Sequence, residues 1–219
     1  IMMNKPTVLS SGEWLLPVAS WRTEGSAGVY SSADRGRSWS FLGQANIPRE
    51  EDRNCDEHMI VERQGGELWM WVRTGYGIGQ SVSEDRGQTW TPVEPSEIPH
   101  PASRFFVRRL SSGRLLLVKH GPMDRRTGRS HLTAFLSDDD GRSWSDGLLL
   151  DEREGVSYPD GVEGIDGTIH VVYDYERRGA KEILMVSFTE DEAIESAGGA
   201  LGEERRELIN KATGQNPEK

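Results

Sequence analysis

Short runs in which apolar and polar residues alternate dominate the chain, and most of them end at a turn that contains glycine. Runs of about four to eight residues with this alternation, bounded by Gly, Ser, Asp or Pro, predict antiparallel strands. Four successive segments carry the pattern, and each places two strands around a short turn before a third strand. The segments cover about residues 5–43, 58–95, 105–150 and 158–189. The chain is therefore predicted to be all-β, with one antiparallel sheet for each segment.

One polar turn recurs three times with the frame Ser-x-Asp-x-Gly-x-Ser/Thr-Trp, and each copy precedes a predicted fourth strand. The three copies occupy residues 32–39, 83–90 and 137–144. Their aspartates are 51 and 54 residues apart (85 minus 34, and 139 minus 85), and a period of about 50 in a β-rich chain is typical of propeller blades. In such a turn, Asp and Ser can bond to the backbone, Gly supplies an unusual backbone angle and Trp can pack inward. We therefore interpret the three aspartates as structural.

The composition argues against several classes of function. The net charge is −10 and no basic run is present, which argues against nucleic-acid binding. No apolar run has the length of a membrane span. No metal-ligand cluster or phosphate-binding glycine loop has the required spacing, so neither a metal nor another cofactor is expected. Cys55 is the only cysteine and cannot form an internal disulfide.

Two regions are predicted along the chain. Residues 1–190 hold the four strand sets, and residues 191–219 form a charged, glycine-containing tail. The tail is expected to be a solvated extension with one short helix around residues 203–211. The fourth strand set has no copy of the repeated turn, so no fourth strand is predicted there.

The repeated turn is similar to the Asp-box, or BNR repeat, of the sialidase superfamily of exo-α-sialidase-like glycoside hydrolases. The chain resembles that family over about residues 4–190. The resemblance implies a six-bladed β-propeller, of which about four blades are present here. The stretch NKPTVLSSGEWLLPV resembles the start of the family's third blade, so the first two blades are expected to be lacking. The family also implies a secreted or periplasmic location, although the N-terminal residues do not form a signal peptide.

The family's active site contains three arginines, a nucleophilic Tyr with a Glu partner, and an aspartic acid/base. The resemblance assigns Tyr158 as the nucleophile and Glu57 as the base that accepts its proton. It assigns Arg73 and Arg129 to the substrate carboxylate, because a guanidinium binds a carboxylate in a planar, bidentate way. A neutral Tyr avoids the repulsion that a carboxylate nucleophile would meet from this substrate group. The first arginine and the acid/base have no counterpart in the chain.

Three further residues are candidates for substrate binding. Arg104 lies on a strand of the third segment, from which it can reach a central site. His58 follows Glu57 where Asn is more usual in the family, and Asp160 follows the nucleophile in place of the family's Ser. His58 can instead cap a strand, and Asp160 can instead stabilise the turn before Gly161. These departures indicate a divergent subgroup, whose substrate need not be sialic acid.

Each assignment competes with a plainer interpretation. Tyr158 can be a core or blade-edge residue, Arg73 a solvated charge at a strand end, and Arg129 one of several loop arginines. Glu57 is assigned a role only because of its position in the surrounding motif. The resemblance favours a glycan or sialoside-like carbohydrate as the partner and leaves the oligomeric state open. The alternatives are another glycosidase or a polysaccharide lyase on the same scaffold, a non-catalytic module that binds glycans or proteins, and a fragment without activity of its own.

Overall fold

The computed structural model describes residues 2–20, 26–196 and 198–214, and these residues form four antiparallel sheets. Sheet 1 consists of β1 (Met2–Met3), β2 (Thr7–Val8), β3 (Trp14–Ala19), β4 (Ala27–Ser32) and β5 (Ser40–Ala45). Sheet 2 consists of β6 (Arg53–Glu62), β7 (Leu68–Thr74), β8 (Ile78–Ser83) and β9 (Glu94–Pro95). Sheet 3 consists of β10 (Phe106–Arg109), β11 (Leu115–His120), β12 (Leu132–Ser137) and β13 (Leu148–Asp151). Sheet 4 consists of β14 (Val156–Glu163), β15 (Ile169–Tyr175), β16 (Glu182–Phe188) and β17 (Glu207–Lys211).

Helical structure is minor in the described part of the chain. One α-helix, α1, spans Glu190–Glu195, and short 3-10 turns span Glu50–Asp52 and Glu203–Arg205. Strands that follow one another in the chain pair side by side in sheets 2, 3 and 4. Sheet 1 differs only in that β1 and β2 both pair with β3. The prediction of an all-β chain with one sheet per segment is therefore confirmed.

The chain divides into two compact units, each with its own buried apolar side chains. Unit 1 is Ile1–Ala102 with Val107–Arg109, and unit 2 is Ser103–Phe106 with Leu110–Lys219. The core of unit 1 includes Leu15, Val29, Ile60, Met70 and Val72. In unit 2 the buried side chains include Leu115, Leu117, Phe135, Leu150, Val171 and Val186. The inner strands β7, β11 and β12 are buried at every position, so apolar side chains on both faces of these strands stabilise the sheets.

The three repeated turns fold as hydrogen-bonded loops with the same internal contacts. In the first copy, the Ser32 hydroxyl donates to Asp34 Oδ1 at 2.8 Å. The Ser38 backbone N–H donates to Asp34 Oδ1 at 2.9 Å, and the Ser38 hydroxyl donates to Asp34 Oδ2 at 2.6 Å. The indole N–H of Trp39 donates to the carbonyl of Gly36, whose φ of 83° suits glycine. The equivalent contacts of Asp85 and Asp139 repeat this arrangement, as expected for structural residues.

These turns are expected to make the stability of the chain sensitive to acid. Hydrogen bonds from the hydroxyl and then the backbone N–H four residues later lower the pKa of Asp34, Asp85 and Asp139 from 3.8 to about 2. A carboxyl whose pKa is lowered on folding stabilises the native state above its unfolded pKa. That contribution is lost as the pH falls through the folded pKa. Stability should therefore decline between about pH 4 and about pH 2.

Chemical denaturation between about pH 5 and about pH 2 measures this effect. A variant with Asp34→Asn, Asp85→Asn and Asp139→Asn should be less stable at neutral pH and should lose less stability on acidification than the native chain. Parallel pH dependences for the two proteins would show that these carboxylates do not contribute to the acid transition.

The C-terminal tail differs from its prediction. The expected helix around residues 203–211 is wrong, because Glu203–Arg205 form a 3-10 turn and Glu207–Lys211 form β17, which pairs antiparallel with β16. The physical reason is the open backbone edge of β16, which the tail satisfies with a fourth strand. Glu207–Lys211 of the tail are thus part of sheet 4, with their side chains exposed. The helix lies earlier, at α1, where Thr189 and Glu192 form a capping box.

Candidate functional site

In unit 2, Tyr158 lies within a bulge of β14. The pairing of β14 with β15 shifts its register between Ser157 and Asp160, and Tyr158 lies within this interval with a φ of 54°. A left-handed backbone costs a non-glycine residue about 1–3 kcal/mol, and such residues concentrate at functional sites. The bulge also changes the direction of the side chain relative to regular strand alternation. The local backbone therefore marks Tyr158 as more than a regular strand residue.

Two arginines lie against the ring of Tyr158. The guanidinium carbon of Arg177 is 4.4 Å from the ring centroid, and that of Arg129 is 5.8 Å away. Arg177 Nε is also 3.0 Å from Asp174 Oδ2, while the Ser157 hydroxyl donates to Asp174 Oδ1. Burial raises the pKa of Asp174, with the hydrogen bond from Ser157 and the charge of Arg177 opposing the rise. Two cations therefore lie within about 6 Å of the ring of Tyr158, and one of them, Arg177, is paired with a carboxylate.

An open cavity of about 640 Å³ lies beside this cluster. It is lined by Arg129, Gly155, Ser157, Glu176, Arg177, Arg178 and Gly179. The volume is within the range of about 300–1,000 Å³ that small ligands occupy. No aliphatic or aromatic side chain belongs to this lining, so the cavity suits a polar ligand such as a sugar.

The structure also brings together Arg104 and Asp160, which the sequence proposed separately. Arg104 Nη2 is 3.7 Å from Asp160 Oδ2. Asp160 Oδ1 accepts a hydrogen bond from the Gly161 backbone N–H at 2.8 Å, which is the turn role considered for it. Asp160 therefore serves at least as a local structural residue.

Two basic residues at the end of β11 are buried. His120 Nε2 is 3.0 Å from the Val156 carbonyl, and burial lowers the pKa of His120 to about 4. Lys119 Nζ donates to the carbonyls of Gly121 and Pro122 at 2.9 and 2.7 Å, and burial lowers its pKa to about 7. His120 ends the strand that precedes Arg129. The contact of its side chain with the Val156 carbonyl joins β11 to the start of β14. These residues support the local backbone.

In unit 1, Glu57 and Arg73 form a buried ion pair. Arg73 Nη1 donates to Glu57 Oε2 at 2.6 Å, and Arg73 Nη2 donates to the Ala102 carbonyl at 3.1 Å. Glu57 is 5% exposed, and within the described residues its Oε1 has no hydrogen-bond partner. A bulge in β6 precedes the pair, with Cys55 and Asp56 at φ values of 61° and 49°. The sixteen-residue spacing in sequence thus corresponds to a direct contact.

His58 has a different environment from the one considered in sequence. It is 1% exposed, its Nδ1 is 3.0 Å from the Asp56 carbonyl and its Nε2 is 2.8 Å from the Gly28 carbonyl. Burial lowers its pKa, so the ring favours the neutral form, which donates to one of these carbonyls. The contacts link β6 to β4, and His58 is therefore a structural residue in unit 1.

Arg177 and Arg178 are cavity residues that the sequence did not single out. They occupy the turn between β15 and β16, in the stretch YERRGAKE, where paired arginines suggest only a solvated turn. The approach of Arg177 to Tyr158 depends on the pairing of β15 with β14, which short-range patterns do not reveal.

Residues 2–20, 26–196 and 198–214 contain no group of three His, Cys, Asp or Glu side chains arranged to hold a metal ion. Over these ranges, no helix has the length and apolar character needed to cross a membrane.

Comparison with known families gives one match that covers most of the chain. The BNR repeat-like domain matches residues 1–171. Among curated proteins, no sequence matches the chain.

Solved structures show the same fold at low sequence identity. The intramolecular trans-sialidase from Ruminococcus gnavus, in complex with oseltamivir carboxylate, is 23% identical with a TM-score of 0.66, over 88% of this chain and 44% of that one. The NanB sialidase from Streptococcus pneumoniae is 20% identical with a TM-score of 0.65, over 86% and 30% respectively. The α-L-arabinanase from Penicillium chrysogenum, complexed with arabinobiose, is 16% identical with a TM-score of 0.61, over 93% and 65%.

These likenesses concern the fold and not the reaction. They confirm that the four sheets are blades of the β-propeller type, as the repeated turns predicted. The chain spans less than half the length of the two sialidases and 65% of the arabinanase. At this coverage and identity, the activities of those proteins do not transfer to this chain by similarity alone.

Proposed function

The chain belongs to the BNR repeat-like domain family, and from this we propose that it acts as a sialidase-like glycoside hydrolase on a terminal acidic sugar. The observation that carries the proposal is the position of Tyr158. Its backbone is left-handed within a bulge, two guanidinium groups lie against its ring, and a cavity suited to a polar ligand lies beside it.

The chemistry that this proposal requires is a retaining displacement. The Tyr158 Oη attacks the anomeric carbon and forms a covalent bond to the sugar as the glycosidic bond breaks. A proton must leave Tyr158, and an acid must protonate the departing oxygen. Water then attacks the anomeric carbon, releases Tyr158 and yields the free sugar with its original configuration.

The remaining roles rest on the sequence resemblance. Glu57 is proposed as the base for Tyr158, and its buried carboxylate with one unbonded oxygen is compatible with accepting a proton. Because the two residues belong to different units, this pairing has no support beyond the resemblance. Arg73 and Arg129 are proposed to bind the substrate carboxylate. No residue of this chain is assigned as the acid that protonates the leaving group.

A second candidate function is the hydrolysis of a neutral arabinose-containing glycan. The observation in its favour is the likeness of the chain to the α-L-arabinanase, which covers more of both chains than either sialidase match. The same scaffold supports both reactions, so the substrate must be decided by experiment.

A panel of fluorogenic glycosides tests the proposal. The complete protein encoded by the reading frame should hydrolyse an α-sialoside or another acidic glycoside, and proton NMR of the first product should show retention of the anomeric configuration. Hydrolysis of the α-L-arabinofuranoside alone would replace the proposal with the second candidate. Binding of acidic glycans without turnover of any of them would identify a non-catalytic module.

A further inference from the structure

One face of sheet 1 carries apolar side chains that the structure leaves partly exposed. Strand pairing places Leu16 opposite Tyr30 and Tyr30 opposite Phe41 on this face, where the two rings are 5.6 Å apart. Val8 pairs with Trp14 on the same face and is 53% exposed. The opposite face of the sheet packs against sheet 2 in the core of unit 1. A solvated face of an antiparallel sheet is usually polar, so this open face of sheet 1 has the composition of an interface.

Sheet 4 also has an apolar open face. Val172 on β15 pairs with Met185 on β16, and Ile183 lies two residues before Met185 on the same strand. Val162, on the adjacent strand β14, lies on the same side of the sheet. Val162, Val172 and Ile183 are between 37% and 51% exposed, whereas the opposite face of the sheet is buried, as at Val171. The open face of sheet 4 therefore consists of Val162, Val172, Ile183 and Met185.

A turn shared by the four sheets allows their strands to be aligned. In each turn, the N–H of the first residue donates to the carbonyl four residues later, and its carbonyl accepts from the N–H three residues later. The first residues of the four turns are Leu9, Arg63, Leu110 and Gly164. Trp14 and Leu16 lie five and seven residues after Leu9, and the equivalent residues of the other three sheets are buried and apolar. These equivalents are Leu68, Met70, Leu115, Leu117, Ile169 and Val171.

The second residue of the turn contacts the neighbouring sheet within each unit. In unit 1, the Ser10 N–H donates to Glu62 Oε2 at 2.6 Å, and the Ser10 hydroxyl donates to Glu62 Oε1 at 2.8 Å. In unit 2, Ser111 makes the same two contacts with Glu163, at 2.7 and 2.5 Å. Glu62 and Glu163 each directly precede the first turn residue of their own sheet. A turn residue of one sheet thus meets the last residue of the first long strand in the sheet packed against it.

The same two positions are apolar on the open faces. Ile165 is the second turn residue of sheet 4, equivalent to Ser10, and its side chain is fully exposed. Val8 directly precedes Leu9 and is therefore equivalent to Glu62. If sheet 1 packed on the open face of sheet 4 in the way that the sheets pack within each unit, Ile165 would meet Val8. The polar pair of the internal contacts is thus replaced at both open positions by aliphatic side chains that suit each other.

We propose that the open face of sheet 4 in one copy of the chain packs on the open face of sheet 1 in a second copy, with Ile165 against Val8. The interface is heterologous, because it joins two different faces of the same chain. A second copy fits because it supplies a sheet whose open face is apolar and whose residue at the contact position matches Ile165. This association is independent of the glycosidase proposal.

Sedimentation velocity of the 219-residue chain between about 1 and about 100 µM tests the association. The native chain should reach at least twice the 24.5 kDa mass of one copy. Ile165→Lys and Val8→Glu should each raise the dissociation constant at least about tenfold, because each places a charge against an apolar side chain. Ile194→Lys is the matched control: Ile194 is 45% exposed on α1, outside both open faces, and this variant should associate as the native chain does.

A mixture of the two variants tests the head-to-tail arrangement. Equal amounts of Ile165→Lys and Val8→Glu should associate more tightly than either variant alone, because the introduced lysine of one copy then meets the introduced glutamate of the other. Contact between like faces would give no such recovery and would overturn the proposal. A monomeric native chain at the highest concentration would overturn it as well, since something other than a second copy must then cover the two faces.

Association that is unchanged in both single variants would also overturn the proposal, because the copies would then meet elsewhere. Circular dichroism of each variant shows whether it is folded. Because the side chain of Ile165 is fully exposed, its replacement removes no contact within the chain. Ile165→Ser, which introduces the residue found at this turn position in sheets 1 and 3, provides the same comparison if the lysine variant does not fold.

Discussion

Replacement of Tyr158 by phenylalanine is expected to lower the turnover of an acidic aryl glycoside by at least about 10³-fold, as is usual when a nucleophile is removed. Phenylalanine keeps the ring that Arg129 and Arg177 contact, and it lacks only the hydroxyl that would attack the anomeric carbon. The side chain is partly exposed, so the melting temperature should change by less than about 2 °C. Steady-state kinetics and a thermal melt of the same preparation measure both quantities.

Tyr175→Phe is the matched control for this experiment. Tyr175 lies at the end of β15 in the same sheet, and the guanidinium carbon of Arg153 is 3.9 Å from its ring centroid. The control therefore removes a hydroxyl from another tyrosine that packs against an arginine, and it should retain native turnover. If Tyr158→Phe keeps more than about a tenth of the activity, the nucleophile lies elsewhere. An equal loss in both variants would indicate a structural effect in sheet 4.

Local patterns were sufficient for the sheets and the repeated turns. Strand alternation and turn glycines are properties of a few consecutive residues, and the Asp-box contacts join residues two to four positions apart. The contact of Glu57 with Arg73 was not predicted, although the two residues are joined by one hairpin whose pairing places its ends together. These parts of the structure depend on short separations in sequence.

The parts that could not be predicted depend on long separations or on irregular backbone. β17 pairs with β16 although residues 189–206 separate the two strands in the chain. The five residues of β17 are exposed and give no alternating pattern. The bulge at Tyr158 and the contact of His58 with Gly28 require strand registers that composition does not specify. The same holds for Arg177, whose approach to Tyr158 follows from the pairing of β14 with β15. The bulge at Tyr158 and the approach of Arg177 belong to the candidate site, whereas β17 and the contact of His58 with Gly28 lie outside it.

A buried carboxylate, that of Asp151, lies beside the residue that precedes β17. Asp151 is 0% exposed and accepts hydrogen bonds from Arg153 Nε and the Tyr173 hydroxyl, each at 2.9 Å. Arg206, which directly precedes β17 and is 7% exposed, lies 3.7 Å from the same carboxylate. Burial alone would raise the pKa of Asp151, but the hydrogen bonds from Arg153 and Tyr173 lower it overall. Asp151 therefore contacts two guanidinium groups, that of Arg153, which is partly exposed, and that of Arg206, which also pairs with Glu152.

Asp151→Asn is expected to lower the free energy of unfolding by about 1–3 kcal/mol, because Arg153 and Tyr173 lose a charged hydrogen-bond acceptor, while Arg206 keeps its ion pair with Glu152. Urea denaturation followed by tryptophan fluorescence measures the loss, and hydrogen exchange should show reduced protection of the amides that pair β16 with β17. Asp138→Asn is the matched control. Asp138 is 79% exposed and its Oδ1 is 2.6 Å from Arg114 Nε, so its replacement should cost less than about 1 kcal/mol. If the two substitutions cost the same, Arg153 and Arg206 must regain water on loss of the carboxylate, and the anchoring of β17 must then come from its backbone pairing with β16.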